Sequence, residues 1–192
     1  MNQKSLTEQL IFIFENTNNW MKFAEAKNGA LLILNSGLIF GYLGILPYTV
    51  FDCPFLILLY SISFIIFCLL ALFVNLFSFL PFFKPLVLIP SKKKTNLIPN
   101  VLFWGDLSKI NAEELINRLN DQKNESLVLD QYQKDLSSQI IINSAITHRK
   151  YNLFTYSVWL TIFGLITPIL GIVFLLIYRK IKGAKNGFSA NS

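Results

Sequence analysis

Charge is what this sequence has least of. Only 15% of its 192 residues are Asp, Glu, Lys or Arg, against roughly a quarter in ordinary soluble domains. The deficit is local. Residues 28–51, 53–83 and 151–178 hold none. Each run exceeds the roughly 20 apolar residues that carry a helix across the roughly 30 Å hydrocarbon core of a bilayer. The rest of the chain holds every charge and reads as ordinary water-exposed protein. This pattern excludes a simple soluble enzyme domain. It also excludes disorder, which needs low hydrophobicity, whereas 53% of the residues are hydrophobic.

Cysteine and histidine are equally scarce, with Cys53, Cys68 and the single His148. No C-x-x-C exists, and a zinc site needs about four such ligands. The two cysteines read as small apolar residues. GxGxxG, Walker, H-E-x-x-H and G-x-S-x-G patterns are all missing, so neither an enzyme nor a bound cofactor is expected. Glu113, Glu114, Asp121 and Asp130 look like solvated helix faces. A cleavable signal peptide is not expected either. The first apolar run begins after a segment that contains Glu8, Glu15 and Glu25, and no A-x-A site follows it.

Lipid offers the backbone no hydrogen-bond partners, so each apolar run is read as a helix. The spans are placed at 29–49, 55–79 and 155–178. Basic residues orient them. The link between the first two runs carries only Asp52, whereas residues 84–150 carry most of the Lys and Arg. The positive-inside rule puts residues 84–150 and the N-terminus in the cytoplasm. Three spans then leave Arg179, Lys180, Lys182 and Lys185 outside, against that rule. Gly164, Pro168 and Gly171 offer one escape, a third run that bends and re-enters.

The net charge of +6 does not argue for nucleic acid. Its sharpest patch, Lys92-Lys93-Lys94, lies close behind the second run, where basic clusters meet anionic lipid headgroups. Ser5-Leu6-Thr7-Glu8 has capping-box spacing. Leu6, Leu10, Ile13, Phe14, Met21 and Ala24 then recur at helical spacing, with Thr17 interrupting the stripe. This predicts an amphipathic helix leading into the first span, with Trp20 and Phe23 as interface anchors beside Lys92, Lys93 and Lys94.

Asn35 and Asn75 are the strongest polar groups in the two-span hairpin and read as helix–helix glue. No charged residue lies inside the spans, which weighs against a secondary transporter. Asn111-Ala112-Glu113-Glu114 predicts a short capped helix to about Asn120, buried through Leu115, Ile116 and Leu119. No Gly or Pro stands between Ser126 and Gly164, so one helix is expected to run from the cytoplasm into the third span.

The expected fold is an all-α membrane protein. Residues 1–28 form an amphipathic helix and 29–83 a two-span hairpin. Residues 84–150 form a small, mostly helical cytoplasmic segment, 151–178 a third span continuous with a long cytoplasmic helix, and 179–192 a basic tail.

Scattered residues carry a resemblance. They are Asn19-Trp20-x-x-Phe23-Ala24-x-x-Lys27-Asn28, then Asn100-x-x-Phe103-Trp104-Gly105-Asp106 with Glu113-Glu114-Leu115, then Gln139-x-x-x-Asn143-Ser144-x-x-x-x-x-Lys150-Tyr151. In this order around three spans, the chain resembles the membrane-spanning effectors of the bacterial Pycsar antiphage system, over roughly residues 10–178. The resemblance implies a partner pyrimidine cyclase that makes cyclic UMP or cyclic CMP on infection. It also implies an effector that senses this nucleotide and impairs the inner membrane, without catalysis of its own.

A cyclic mononucleotide asks for a cation at its phosphate, an aromatic platform and an amide at its base. Within the motifs, Lys27, Arg149 and Lys150 suit the phosphate, and Trp104 or Phe103 the stack. Asn28, Gln139 and Asn143 suit the base. Each has a structural alternative: Lys27 and Lys150 as snorkelling charges, Asn143 as interhelix glue. A homo-oligomer contacting membrane lipids is expected. The rival readings are a small membrane interaction subunit and a constitutive channel component.

Overall fold

The first helix begins with the reciprocal cap its sequence predicts. Ser5 Oγ accepts from the Glu8 N–H at 3.2 Å, and the Glu8 carboxylate accepts from the Ser5 N–H at 2.9 Å. From there α1 runs over Leu6–Thr49. The computed structural model describes residues 5–49, 55–80, 100–120 and 130–189. Within them follow α2 (Phe55–Phe79), the single turn α3 (Trp104–Leu107), α4 (Ala112–Asn120) and α5 (Gln131–Ser189). The described residues are helical and contain no strand. Stretches of α1, α2 and α5 are long and apolar enough to cross a membrane, and the chain is an all-α membrane protein. Lys92, Lys93 and Lys94 lie outside the described residues, as does the Asp52 link.

The chain divides into two compact units. One holds Met1–Asn28 and Ser78–Leu153, the other Gly29–Phe77 and Phe154–Ser192. The core of the first joins Leu6, Leu10 and Ile13 of α1 to Leu107, Ile110, Leu115, Leu119, Ile140 and Ile141. Fewer than 70 residues lie between Lys84 and Lys150, close to the lower limit for an independent core. The α1 side chains complete it.

Local chemistry fixes each piece of this unit. Asn111 Oδ1 accepts from the Glu114 N–H at 2.7 Å and caps α4, whose apolar stripe buries Leu115, Ile116 and Leu119. Asn100 folds the turn ahead of α3 by accepting from the Leu102 N–H at 2.9 Å, and its own N–H donates to Asp106. Asn16 Nδ2 donates to the Leu102 carbonyl at 2.9 Å, tying that turn to α1. Gln133 Nε2 donates to Thr7 Oγ1 and ties α5 to α1.

The second unit packs on a polar seam. On α2 the buried positions among the described residues are Ser61, Phe64, Cys68, Ala71, Asn75 and Ser78. They alternate steps of three and four, the period of interlocking helices. Thr161 Oγ1 donates to Asn35 Oδ1 at 3.0 Å, and Ser157 Oγ donates to the Ala71 carbonyl at 3.0 Å. Tyr42 donates to Ser61.

Glycine lets α5 approach α2 closely. A Cβ at Gly164 would stand 3.3 Å from the Phe67 Cβ, and one at Gly171 3.3 Å from the Tyr60 ring. Asn35 thus acts as glue. Asn75 does not, because both of its amide atoms are buried without a hydrogen-bond partner.

The third apolar run does not turn back on itself, since α5 continues through Pro168. Proline lacks the N–H that would bond the carbonyl four residues earlier. That carbonyl belongs to Gly164, and Thr167 Oγ1 donates to it at 2.7 Å. The local hydroxyl repairs the gap where lipid cannot.

Candidate functional site

Within the first unit, polar and aromatic residues of α1, the α3 turn and α5 gather in three groups. The first is a ladder of amides. Gln139 Nε2 donates to Asn143 Oδ1 at 3.0 Å, and Asn143 Nδ2 donates to Asn18 Oδ1 at 2.7 Å. Ser144 and Thr147 beside it are fully buried and return their hydroxyls to their own helix.

The second group is aromatic and cationic. The Trp104 ring stacks on Tyr151 with centroids 4.7 Å apart and planes 5° from parallel. Phe103 and His148 lean against Trp104 at 5.0 and 5.5 Å. The Lys27 ammonium sits 4.5 Å from the centre of the Phe23 ring and 5.5 Å from that of Tyr151. Such cation–π contacts contribute roughly 0.5–2 kcal/mol, more as water is excluded. Burial, and then the nearby Lys109 ammonium, push the His148 pKa below the usual imidazole range. Both effects favour the neutral ring. Its Nδ1 is buried and has no hydrogen-bond partner.

The third group is an ion pair. Lys150 Nζ reaches Glu25 at 2.9 Å and the Ser78 carbonyl at 3.2 Å. The Lys150 side chain is only 12% exposed, that of Glu25 45%. Asn28 is fully buried. Its Nδ2 donates to the carbonyls of Ala24 at 2.9 Å and Lys150 at 3.2 Å, while its Oδ1 finds no partner.

Lys27 and Trp104 are therefore brought together on one ring, that of Tyr151. Asn28 and Lys150 are joined through the α5 backbone. Gln139 and Asn143 stand apart, about 12 Å along α5 from Tyr151 at about 1.5 Å per residue from Asn143. Trp20 and Phe23 are both substantially exposed on α1, in edge contact at 6.3 Å.

Glu25, His148 and the stacking face of Tyr151 were not singled out by sequence reasoning. Tyr151 stands next to Lys150 in a motif, and His148 lies three residues before it on the same helical face, a spacing that could have marked it.

Fold and site together define a helical membrane protein with a separate unit that concentrates aromatic rings, amides and cations. More narrowly, the chain belongs to the Pycsar effector family, because the family model described as the Pycsar effector protein domain matches residues 9–177. No match was found among curated proteins or among solved structures. Membership gives the chain a role in antiphage defence, as an effector within a system whose partner produces a cyclic nucleotide.

Proposed function

We propose that the first unit senses cyclic UMP or cyclic CMP, made by a partner pyrimidine cyclase during infection, and that the chain responds by impairing the bacterial inner membrane. Growth of the infected cell then stops before phage matures. One observation carries this reading. A lysine lies over a ring that is itself stacked on tryptophan, which is the chemistry that holds an anionic heterocycle. Lys27 meets the phosphate and Trp104 the base, with the Asn28 amide one residue on from Lys27 supplying a hydrogen bond; the Gln139–Asn143 ladder stands too far along α5 to touch the same nucleotide. Lys150 is engaged by Glu25 at rest, so an incoming phosphate competes with that carboxylate.

The response follows from the helices. Lys27 and Tyr151 stand within three residues of the points where α1 and α5 leave the first unit. Each helix is unbroken there, so a shift at the site has a continuous helix along which to pass. A ligand can only favour the state it binds better. The two states are a quiet one and one in which copies of the chain, packed in lipid, open a leak. The cytoplasmic segment is 84–150.

Two measurements test this. Full-length protein in detergent is melted with cyclic UMP and with cyclic CMP. Ligand at 100 times its Kd should add about 2.7 kcal/mol of stability. Cells making the chain should admit a membrane-impermeant dye only when a pyrimidine cyclase is made with it. Dye entry without cyclase would favour a constitutive channel. No thermal shift with either nucleotide would favour an interaction subunit.

A further inference from the structure

His148 is the single histidine of the chain, and its placement is hard to explain by packing. Its ring rests against Trp104 at 5.5 Å, in the cluster that also holds Tyr151 and Lys27. A phenylalanine would serve that contact as well. The imidazole instead brings a buried nitrogen, Nδ1, with no hydrogen-bond partner. Leaving such an atom unpaired is unfavourable, because it forfeits its bond to water and gains nothing in return. Burial first, and then the nearby Lys109 ammonium, disfavour the imidazolium, and the neutral ring they favour has one donor and one acceptor nitrogen.

We propose that His148 reads the Watson–Crick edge of the pyrimidine and sets the choice between uracil and cytosine, a deepening that rests on the nucleotide-sensing reading above. The two bases differ only at that edge. Uracil presents an N3–H donor beside an O4 acceptor. Cytosine presents an N3 acceptor beside an N4 amine. The Nδ1 atom carries either a proton or a lone pair, so in a given tautomer it pairs with the N3 position of one base and is mispaired with that of the other. Loss of a buried polar pairing separates ligands far better than a difference in apolar contact does.

The test measures binding of cyclic UMP and cyclic CMP to full-length protein in detergent, by calorimetry. Wild type is expected to prefer one nucleotide at least tenfold. His148→Phe keeps the ring contact and should lose at least tenfold affinity for the preferred nucleotide, bringing the ratio near one. Its unliganded Tm should stay equal or rise. His148→Asn, whose amide lies near the Nδ1 position, should recover part of the preference.

Unchanged affinity and ratio in His148→Phe would overturn the assignment while leaving nucleotide sensing intact. An equal loss for both nucleotides, or a wild-type ratio near one, would overturn it as well. Failure of wild type to bind either nucleotide would overturn both readings. Should the variants not fold, wild type decides. Diethyl pyrocarbonate modification of this lone histidine, followed by mass spectrometry, should slow at least fivefold with the preferred nucleotide. An unchanged rate counts against the idea.

Discussion

The neutral His148 has a consequence for stability. Its folded pKa is lowered, by burial first and the Lys109 charge second. A group of this kind contributes stability that is present above its unfolded pKa, about 6.5. That contribution is lost as pH falls through the folded value, because the unfolded chain takes up the proton first. Melting curves from about pH 7.5 to about pH 5 should therefore fall more steeply for wild type than for His148→Phe. Parallel curves would show that the ring is freely solvated. The Glu25–Lys150 pair gives a second prediction. Glu25 is half-exposed, so Glu25→Gln should cost about 1 kcal/mol or less. Lys150→Ala also removes the bond to the Ser78 carbonyl and should cost more, about 2 kcal/mol. Denaturation in detergent ranks the two, and the reverse order would mean that the carboxylate dominates. The residues drawn from motifs were legible as chemical types, lysine for anions and tryptophan for stacking. Their actual partners were not. Glu25 and Lys150 are 125 residues apart in the chain, and nothing local announces that they meet.

Among elements, the helices follow from patterns that local physics enforces. Uncharged runs longer than a bilayer is thick must be helical, and the cap at Ser5 and Glu8 is written in two residues. The length of α5 follows from missing breakers, and it even passes a proline because Thr167 repairs the bond. Less legible was which polar side chain would pair. Asn35 and Asn75 look alike in sequence, yet Asn35 meets Thr161 and Asn75 meets nothing. That difference depends on the rotation of three helices and not on the identity of any one. The same rotation turns Gly164 and Gly171 toward α2. Apolar attraction cannot hold helices together in lipid, so close backbone approach matters more there. Gly164→Leu would drive a side chain into Phe67 and Cys68. It should cost about 1–3 kcal/mol through overpacking. Gly37→Leu on α1 has open space around it and should cost much less. Comparing the two by thermal denaturation separates close packing from a general intolerance of larger residues.

For the whole molecule, neither compact unit is a contiguous stretch of chain. α1 and α5 each contribute to both, so ordered parts of the protein are made from sequence ends that meet only on folding. Uncharged runs show where lipid belongs but not how an interleaved chain is partitioned. Orientation poses the sharpest question at this scale. By the positive-inside rule the Lys and Arg of residues 84–150 favour the cytoplasm, yet Arg179, Lys180, Lys182 and Lys185 follow the third apolar run. A re-entrant third run would reconcile both groups with the positive-inside rule. The unbroken α5 argues otherwise, because one continuous helix through an apolar run of that length crosses once. A topology in which the larger basic segment governs orientation then places the smaller basic group on the opposite side, against its preference, and this is open to test. A peptide tag added after Ser192 should therefore be cut by protease in intact spheroplasts. A cysteine placed at Ser138, in a chain otherwise free of cysteine, should react with an impermeant maleimide only after the cells are opened. A protected tag would mean that α5 lies along the interface or that the bilayer is crossed only twice, and the proposed passage of a shift along α5 from site to span would lose its physical basis.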